Sequence, residues 1–205
     1  MILVPMTWVI VGLGNPGEEY ESTRHNAGRM AVMHFGKLNG VDEWKGDPEK
    51  NGAGKKALAH VAKVGNSICV LPDTFMNKSG SAVLKYVKSA KAAEKMIVAY
   101  DDLDLPLGTI KLSYDRGSGG HKGVESVMRA VKTKKFNRIR IGVSPPTAKG
   151  VAKKPHGEEA VLKFILQKFK PSEMDDLKKI FKRTSEAIAA TIEHGPIIAM
   201  NEFNR

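Results

Sequence analysis

The chain has 205 residues, 41% of them apolar, enough for one domain with a sizeable core. Lysine and arginine number 33 against 22 aspartates and glutamates, a net charge of +11 that favours nucleic acid, phosphate-rich ligands or an anionic membrane as partner. No apolar stretch reaches the roughly 18 residues of a membrane span, "MILVPMT" (1–7) is too short and lacks the basic flank of a signal peptide, and the single cysteine, Cys69, reads as a buried core thiol suited to a reducing compartment.

In chain order, five apolar, β-branched runs read as strands: 7–11, 67–72, 95–100, 108–114 and 138–144. Helical spacing predicts a helix from Asn26, with Ala27, Met30, Ala31, His34, Phe35 and Leu38 on one face and Gly40 at its end. Further helices are expected over 79–90, 124–135, 157–169 and about 172–194. The last carries the stripe Met174, Leu177, Phe181, Thr184, Ile188 and Ile192 and is stopped by Gly195-Pro196. The stretch 144–157, "SPPTAKGVAKKPHG", reads as a mobile basic loop, either a contact surface or a plain connector. Strands alternating with helices predict a single α/β domain over 1–205, with a twisted, mixed and mostly parallel sheet and helices on both faces.

Gly12, Gly14 and Gly17 in "GLGNPG" make a literal GxGxxG after the first strand. A dinucleotide site needs a helix that starts inside the motif and offers its first N–H groups to pyrophosphate. Here Glu18, Glu19 and Glu21 follow, and an apolar helical face begins only near Asn26. Asp42 has about the spacing of the ribose-binding acid, but no strand pattern precedes it. The glycines therefore signal a sharp turn at a strand end, with Asn15 at its tip.

Polar groups recur at such ends: Asn15, His25 in "TRHN", Asn77 in "FMNKSG", Asp101, Asp102 and Asp104 in "YDDLDLP", and His121 in "GSGGHKG". Brought to one sheet edge, they supply a base, an orienting carboxylate and amide donors for an oxyanion, as hydrolysis by activated water requires. His25 lies just ahead of a helix that Asn26 is expected to cap. The helix dipole disfavours its imidazolium and a nearby Asp favours it, an opposition that tunes a base toward neutrality. Each residue alone has a plainer use: His25 flanking a helix on the surface, Asn77 capping the helix from Ser79, Asp101 in a turn. His121 reads equally as functional or as a turn residue. The acids lack EF-hand spacing, and the glycine loop lacks the GK[ST] ending of a P-loop.

Together, "VGLGNPGEEYESTRHNAG", "LPDTFMNKSG", "DDLDLPLG", "GSGGHKG" and "RIRIGV" resemble the bacterial-type peptidyl-tRNA hydrolase family over nearly the whole chain. The resemblance implies hydrolysis of the ester between a peptide and the 3′-terminal ribose of tRNA, with no metal or cofactor. It implies His25 as general base, Asp101 as the group that holds and polarises, and Asn15 as the sensor of the peptide end. Asn77 would bind the peptide backbone or oxyanion region, and Tyr20, Phe75 and Met76 would line the cleft. The +11 charge then has tRNA as its partner. The expected setting is a monomer in the cytoplasm, or in an organellar matrix in a eukaryote, with no membrane partner.

Two departures stand out. Where the family usually has Asn after the loop histidine, this chain has Lys122, which cannot accept a hydrogen bond. Lys122 is expected instead to meet a phosphate near the tRNA 3′ end or to support the oxyanion. Of the family's basic pair for the tRNA 5′-phosphate, Arg140 matches one member. The other falls at Ser113, with Lys111 two residues earlier on the same strand face as the substitute. The competing reading is a non-enzymatic RNA-binding relative of the kind used in organellar intron splicing. A nicotinamide-dependent enzyme rests on the glycine spacing alone.

Overall fold

The computed structural model describes residues 8–47 and 57–205. The segment 1–7, expected not to be a signal peptide, lies outside the described residues. The chain order is β1 (Val9–Gly12), α1 (Ala27–Leu38), β2 (Lys45–Gly46), β3 (Ala59–Val64), β4 (Ser67–Pro72), α2 (Ser79–Val83), α3 (Ala90–Ala93), β5 (Met96–Pro106), β6 (Ile110–Tyr114), α4 (Lys122–Val131), β7 (Asn137–Ser144), α5 (Glu158–Ile165), α6 (Met174–His194) and α7 (Pro196–Phe203). No helix among the described residues is long and apolar enough to cross a membrane.

The strands form one mixed sheet in the order β2-β3-β4-β1-β5-β7-β6. Its centre, β4-β1-β5-β7, is parallel, and β2, β3 and β6 pair antiparallel at the two flanks. Alternate residues of the central strands feed two cores. Ile10, Ile97, Ala99, Ile139 and Ile141 pack with residues of α1, α6 and α7 on one face. Val11, Val98 and Tyr100 pack with residues of α2 and α4 on the other. Strands buried on both faces explain the continuous apolar runs, including fully buried Cys69, whose thiol burial pushes up to about 12.

Several elements differ from the expectations. The strand expected over 95–100 runs on to Pro106, because Asp101 and Asp102 still pair with β7 at Ile141 and Gly142 before a bulge. The helix expected over 79–90 stops at Val83, and α3 starts after it with the Ser89 hydroxyl accepting from Ala92 N–H. The helix expected over 124–135 ends at Val131, where Lys132 adopts a left-handed φ of 57°. In the last stripe Leu177, Phe181, Thr184 and Ile188 are buried, whereas Met174 is exposed. The β2-β3 ribbon was not anticipated, and neither was α7 beyond Gly195-Pro196. In α7's wake, Asn204 occupies the outer edge of β6: its Oδ1 accepts from Leu112 N–H at 2.7 Å and its Nδ2 donates to Leu112 C=O at 3.0 Å.

The glycine motif serves close packing. A Cβ on Gly12 would lie 2.8 Å from the Gly28 carbonyl and from Val32 Cβ, and one on Gly14 would lie 2.8 Å from Arg29 Cβ. In return, a Cβ on Gly28 would lie 2.2 Å from the Ala99 carbonyl. So α1 rests directly on the end of β1 and on the body of β5. Replacing Gly28→Ala should wedge α1 off β5, with a loss of about 2–3 kcal/mol in denaturant unfolding, at the upper end of overpacking costs.

Candidate active site

The site lies beyond the carboxyl end of β1, alongside the middle of β5, which runs past it to Pro106. From β1 the chain leaves through α1 on one face and reaches β4 on one side. From β4 it crosses through α2 and α3 to β5 on the other side. The crevice at such a reversal is where open α/β sheets expose ligand-binding loops.

Asn15 follows β1 and is 8% exposed. Its backbone is gripped by Asn26: Asn15 N–H donates to Asn26 Oδ1 at 2.8 Å, and Asn26 Nδ2 donates to Asn15 C=O at 2.9 Å. Asn26 stands at the position before α1, but its side chain makes no cap bond to the helix. This two-bond clamp replaces the expected cap. The Asn15 Oδ1 accepts from Met76 N–H at 2.8 Å, which leaves Nδ2 without a partner among the described residues.

His25 sits in a 3-10 turn, Arg24–Asn26, that leads into α1. Its Nδ1 lies 2.9 Å from Asp101 Oδ1 and 3.1 Å from Oδ2. The same Oδ1 lies 2.9 Å from Nε2 of His121. His121 is also the N-cap of α4: its Nδ1 accepts from Gly123 N–H at 3.1 Å and Val124 N–H at 3.3 Å. An Nδ1 that accepts bears no proton, so the His121 proton is on Nε2 and is donated to Asp101. Asp101, 4% exposed, would be raised by burial alone, but the two imidazoles beside it, with their hydrogen bonds, hold it below the usual carboxylate range. An ionised carboxylate only accepts, so His25 also donates, through Nδ1. Nε2 of His25 is then the basic atom, and it has no partner among the described residues. Burial by itself would lower the His25 imidazole. The charge and hydrogen bond of Asp101 outweigh burial and raise it above 6.5.

His25, Asp101 and His121 also form a cluster whose ligand atoms all lie within 4.8 Å of one another, near enough for a metal ion. A metal on His121 Nε2 would drive the proton onto Nδ1, against the two N–H groups that cap α4. The hydrogen-bonded proton arrangement uses all three groups without that conflict.

The other expected residues fall around this centre. Phe75 is 58% exposed, Tyr20 is half-buried and Asn77 is exposed, with no hydrogen bond from the Asn77 side chain among the described residues. Met76 departs from the cleft-lining expectation: it is 5% exposed, with its sulfur beneath Gly123. Its backbone N–H, rather than its side chain, faces Asn15. Lys122 is exposed on the first turn of α4, next to His121. Lys111 stands directly across the β6-β7 ladder from Arg140, whereas Ser113 faces Arg138 and its hydroxyl is buried. Arg140 donates through Nε to Asp102 at 2.6 Å. The remaining acid of this stretch, Asp104, pairs with Lys154 of the basic loop.

Of three supporting residues, Arg138 escaped sequence reasoning, His121 was open between a functional and a turn role, and Asn26 was read as a cap only. Arg138 is 1% exposed and donates to the carbonyls of Arg116 and Gly117, which holds the glycine-rich loop ahead of His121. The available signals were a histidine just before a helix start and an arginine inside an apolar strand.

Residues 9–205 match the family model described as peptidyl-tRNA hydrolase. Among curated relatives, the peptidyl-tRNA hydrolase of Aquifex aeolicus is 40% identical over 202 residues, covering 96% of each chain. That of a Sulfurihydrogenibium species is 35% identical over 204 residues, covering 98% of each. The crystal structure of peptidyl-tRNA hydrolase from Acinetobacter baumannii is similar with a TM-score of 0.79 at 29% identity, over 97% of this chain and 94% of that one.

The proton arrangement carries a pH signature. A base with a raised pKa is active only above that pKa, so kcat/KM should climb with pH to a plateau, with a midpoint above 6.5. Asp101→Asn removes the charge that raises His25 and leaves the burial that lowers it. The midpoint should then move to lower pH while the plateau falls about 10²-fold or more. A pH–rate profile of both proteins checks it.

Proposed function

The chain belongs to the peptidyl-tRNA hydrolase family, and from that premise we propose how its residues hydrolyse the ester that joins a peptide to tRNA. Nε2 of His25 takes a proton from water as the water oxygen attacks the ester carbonyl carbon. The tetrahedral intermediate collapses with cleavage of the bond to the ribose 3′-oxygen, which leaves with a proton. The products are a free peptide carboxyl group and tRNA for reuse. Asp101 accepts from Nδ1, keeps the basic lone pair on Nε2 and stabilises the imidazolium that forms. The free Nδ2 of Asn15 and the unpaired amide of Asn77 are donors for the peptide's end and the developing oxyanion. Tyr20 and Phe75 offer ring surface to the peptide and the tRNA 3′ end, and Met76 acts through its backbone.

One observation carries this reading: a buried carboxylate pins one nitrogen of His25 and leaves the other without a partner among the described residues, while Asn15, with a spare donor, is clamped to Asn26, the residue after His25. On the outer side, Lys111 and Arg140 face each other across two strands with a Cβ separation of about 5 Å, a spacing suited to gripping one phosphate. In this reading the chain works as a monomer in the cytoplasm, without a metal. Nothing in the geometry or among the relatives favours an RNA-binding role without catalysis.

With N-blocked aminoacyl-tRNA as substrate, His25→Ala should lower kcat roughly 10²–10⁴-fold. Retained turnover would remove His25 from the role of base. Lys122→Asn should worsen KM or kcat by about ten-fold, the worth of one contact to a charged group. Unchanged kinetics and tRNA affinity would remove Lys122 from the substrate site. Affinity for tRNA should fall steeply with salt, and Arg140→Ala should reduce the log–log slope by about 1.

A further inference from the structure

Arg24 precedes the proposed base and has no part in the chemistry above. It is 2% exposed. Its Nη1 donates to the Val143 carbonyl at 2.9 Å, and its Nη2 lies 2.9 Å from both carboxylate oxygens of Glu173. The guanidinium packs 4.7 Å from the ring centroid of Phe164 and 4.9 Å from that of Phe169. Around it the backbone is stitched to the stretch between α5 and α6: Arg24 N–H donates to Gln167 C=O, and Phe169 N–H donates to Ser22 C=O, each at 3.0 Å. Glu173 is itself fixed, accepting from Lys170 N–H at 2.7 Å.

A buried ion pair is a weak source of stability, because taking two charges out of water costs about as much as their attraction returns. What the planar guanidinium supplies is geometry, with Nη1 on a β7 carbonyl and Nη2 on the carboxylate fixing its plane. Here the geometry is applied to a three-residue turn whose next side chain is the base. Asp101 holds the His25 ring through Nδ1, and Arg24 ties the turn that carries the ring to Val143, Gln167 and Glu173.

We propose that the Arg24–Glu173 pair, packed against Phe164 and Phe169, is a positioning device for the hydrolysis: it sets the turn that carries His25, so that Nδ1 reaches Asp101 and Nε2 reaches the attacking water in one alignment. The proposal rests on His25 as the base. Misplacement of a reacting group by about 1 Å is enough to cost about 10²-fold in rate, and substrate affinity does not depend on it.

The test compares wild type with Arg24→Lys, Glu173→Gln, the double variant Arg24→Met/Glu173→Gln, and His25→Ala. It measures kcat, KM, the pH dependence of kcat and the thermal midpoint on N-blocked aminoacyl-tRNA. The double variant leaves no lone charge buried, and the amide oxygen that Glu173→Gln introduces still accepts from Lys170 N–H, so it should fold, with a midpoint lowered by the lost bond to Val143 C=O. Positioning predicts kcat lower by about ten-fold or more in each folded variant, KM within about two-fold of wild type, and an acid limb moved to lower pH as the imidazole loosens from Asp101. Wild-type kcat with an unmoved acid limb in a folded variant would reduce the pair to a structural clasp. A double variant that fails to fold would do the same, by assigning the pair to stability. Wild-type turnover by His25→Ala is a separate failure, that of the base itself.

Discussion

The carboxylate of Asp101 organises this site. Buried in the middle of β5, it would be costly to ionise alone, and the cost is offset because two imidazoles donate to it. One of them has no freedom: His121 must present Nδ1 to the first amides of α4, so its remaining proton can only go to Asp101. That fixed donor leaves the carboxylate to dictate the proton on His25. A helix cap on one face of the sheet thus decides, through one shared oxygen, which nitrogen of a histidine on the other face is basic.

The arrangement depends on how closely α1 approaches the sheet. Gly12, Gly14 and Gly28 remove the side chains that would hold the helix away, and the Asn26 clamp ties the start of the helix to the loop after β1. Asn15, His25 and Asp101 come from three separate stretches of chain. They share one crevice because backbone meets backbone beneath them. The loop bearing His121 has its own support in Arg138, whose burial is made tolerable by carbonyls from the loop it holds.

Much of this was legible in the sequence, and the gaps have physical causes. The central strands announced themselves through continuous apolar runs, since both of their faces are buried. The strand β5 ran past its expected end because "DDLDLP" reads as a polar turn until its partners, β7, Arg140 and Lys154, are present to pair its backbone and charges. The β2-β3 ribbon has weak alternation and takes its place from the β4 edge, which local pattern does not reveal. His25, Asp101, Asn15 and Asn77 could be named from residue type and position. The proton order between them could not, because it rests on a hydrogen bond from His121 across the sheet end. Asn26 was read correctly as a boundary but not as a clamp, since its partner lies eleven residues back.

Asn204 gives the sheet a further property. A strand at the border of a sheet normally offers its unpaired amides to any passing extended chain, and β6 is such a border. With both backbone groups of Leu112 already taken by the Asn204 amide, an incoming strand would have to break two bonds at the middle of β6 to continue the ladder. The border that carries Lys111 is therefore poorly suited to sheet-to-sheet aggregation, although its strand is only five residues long.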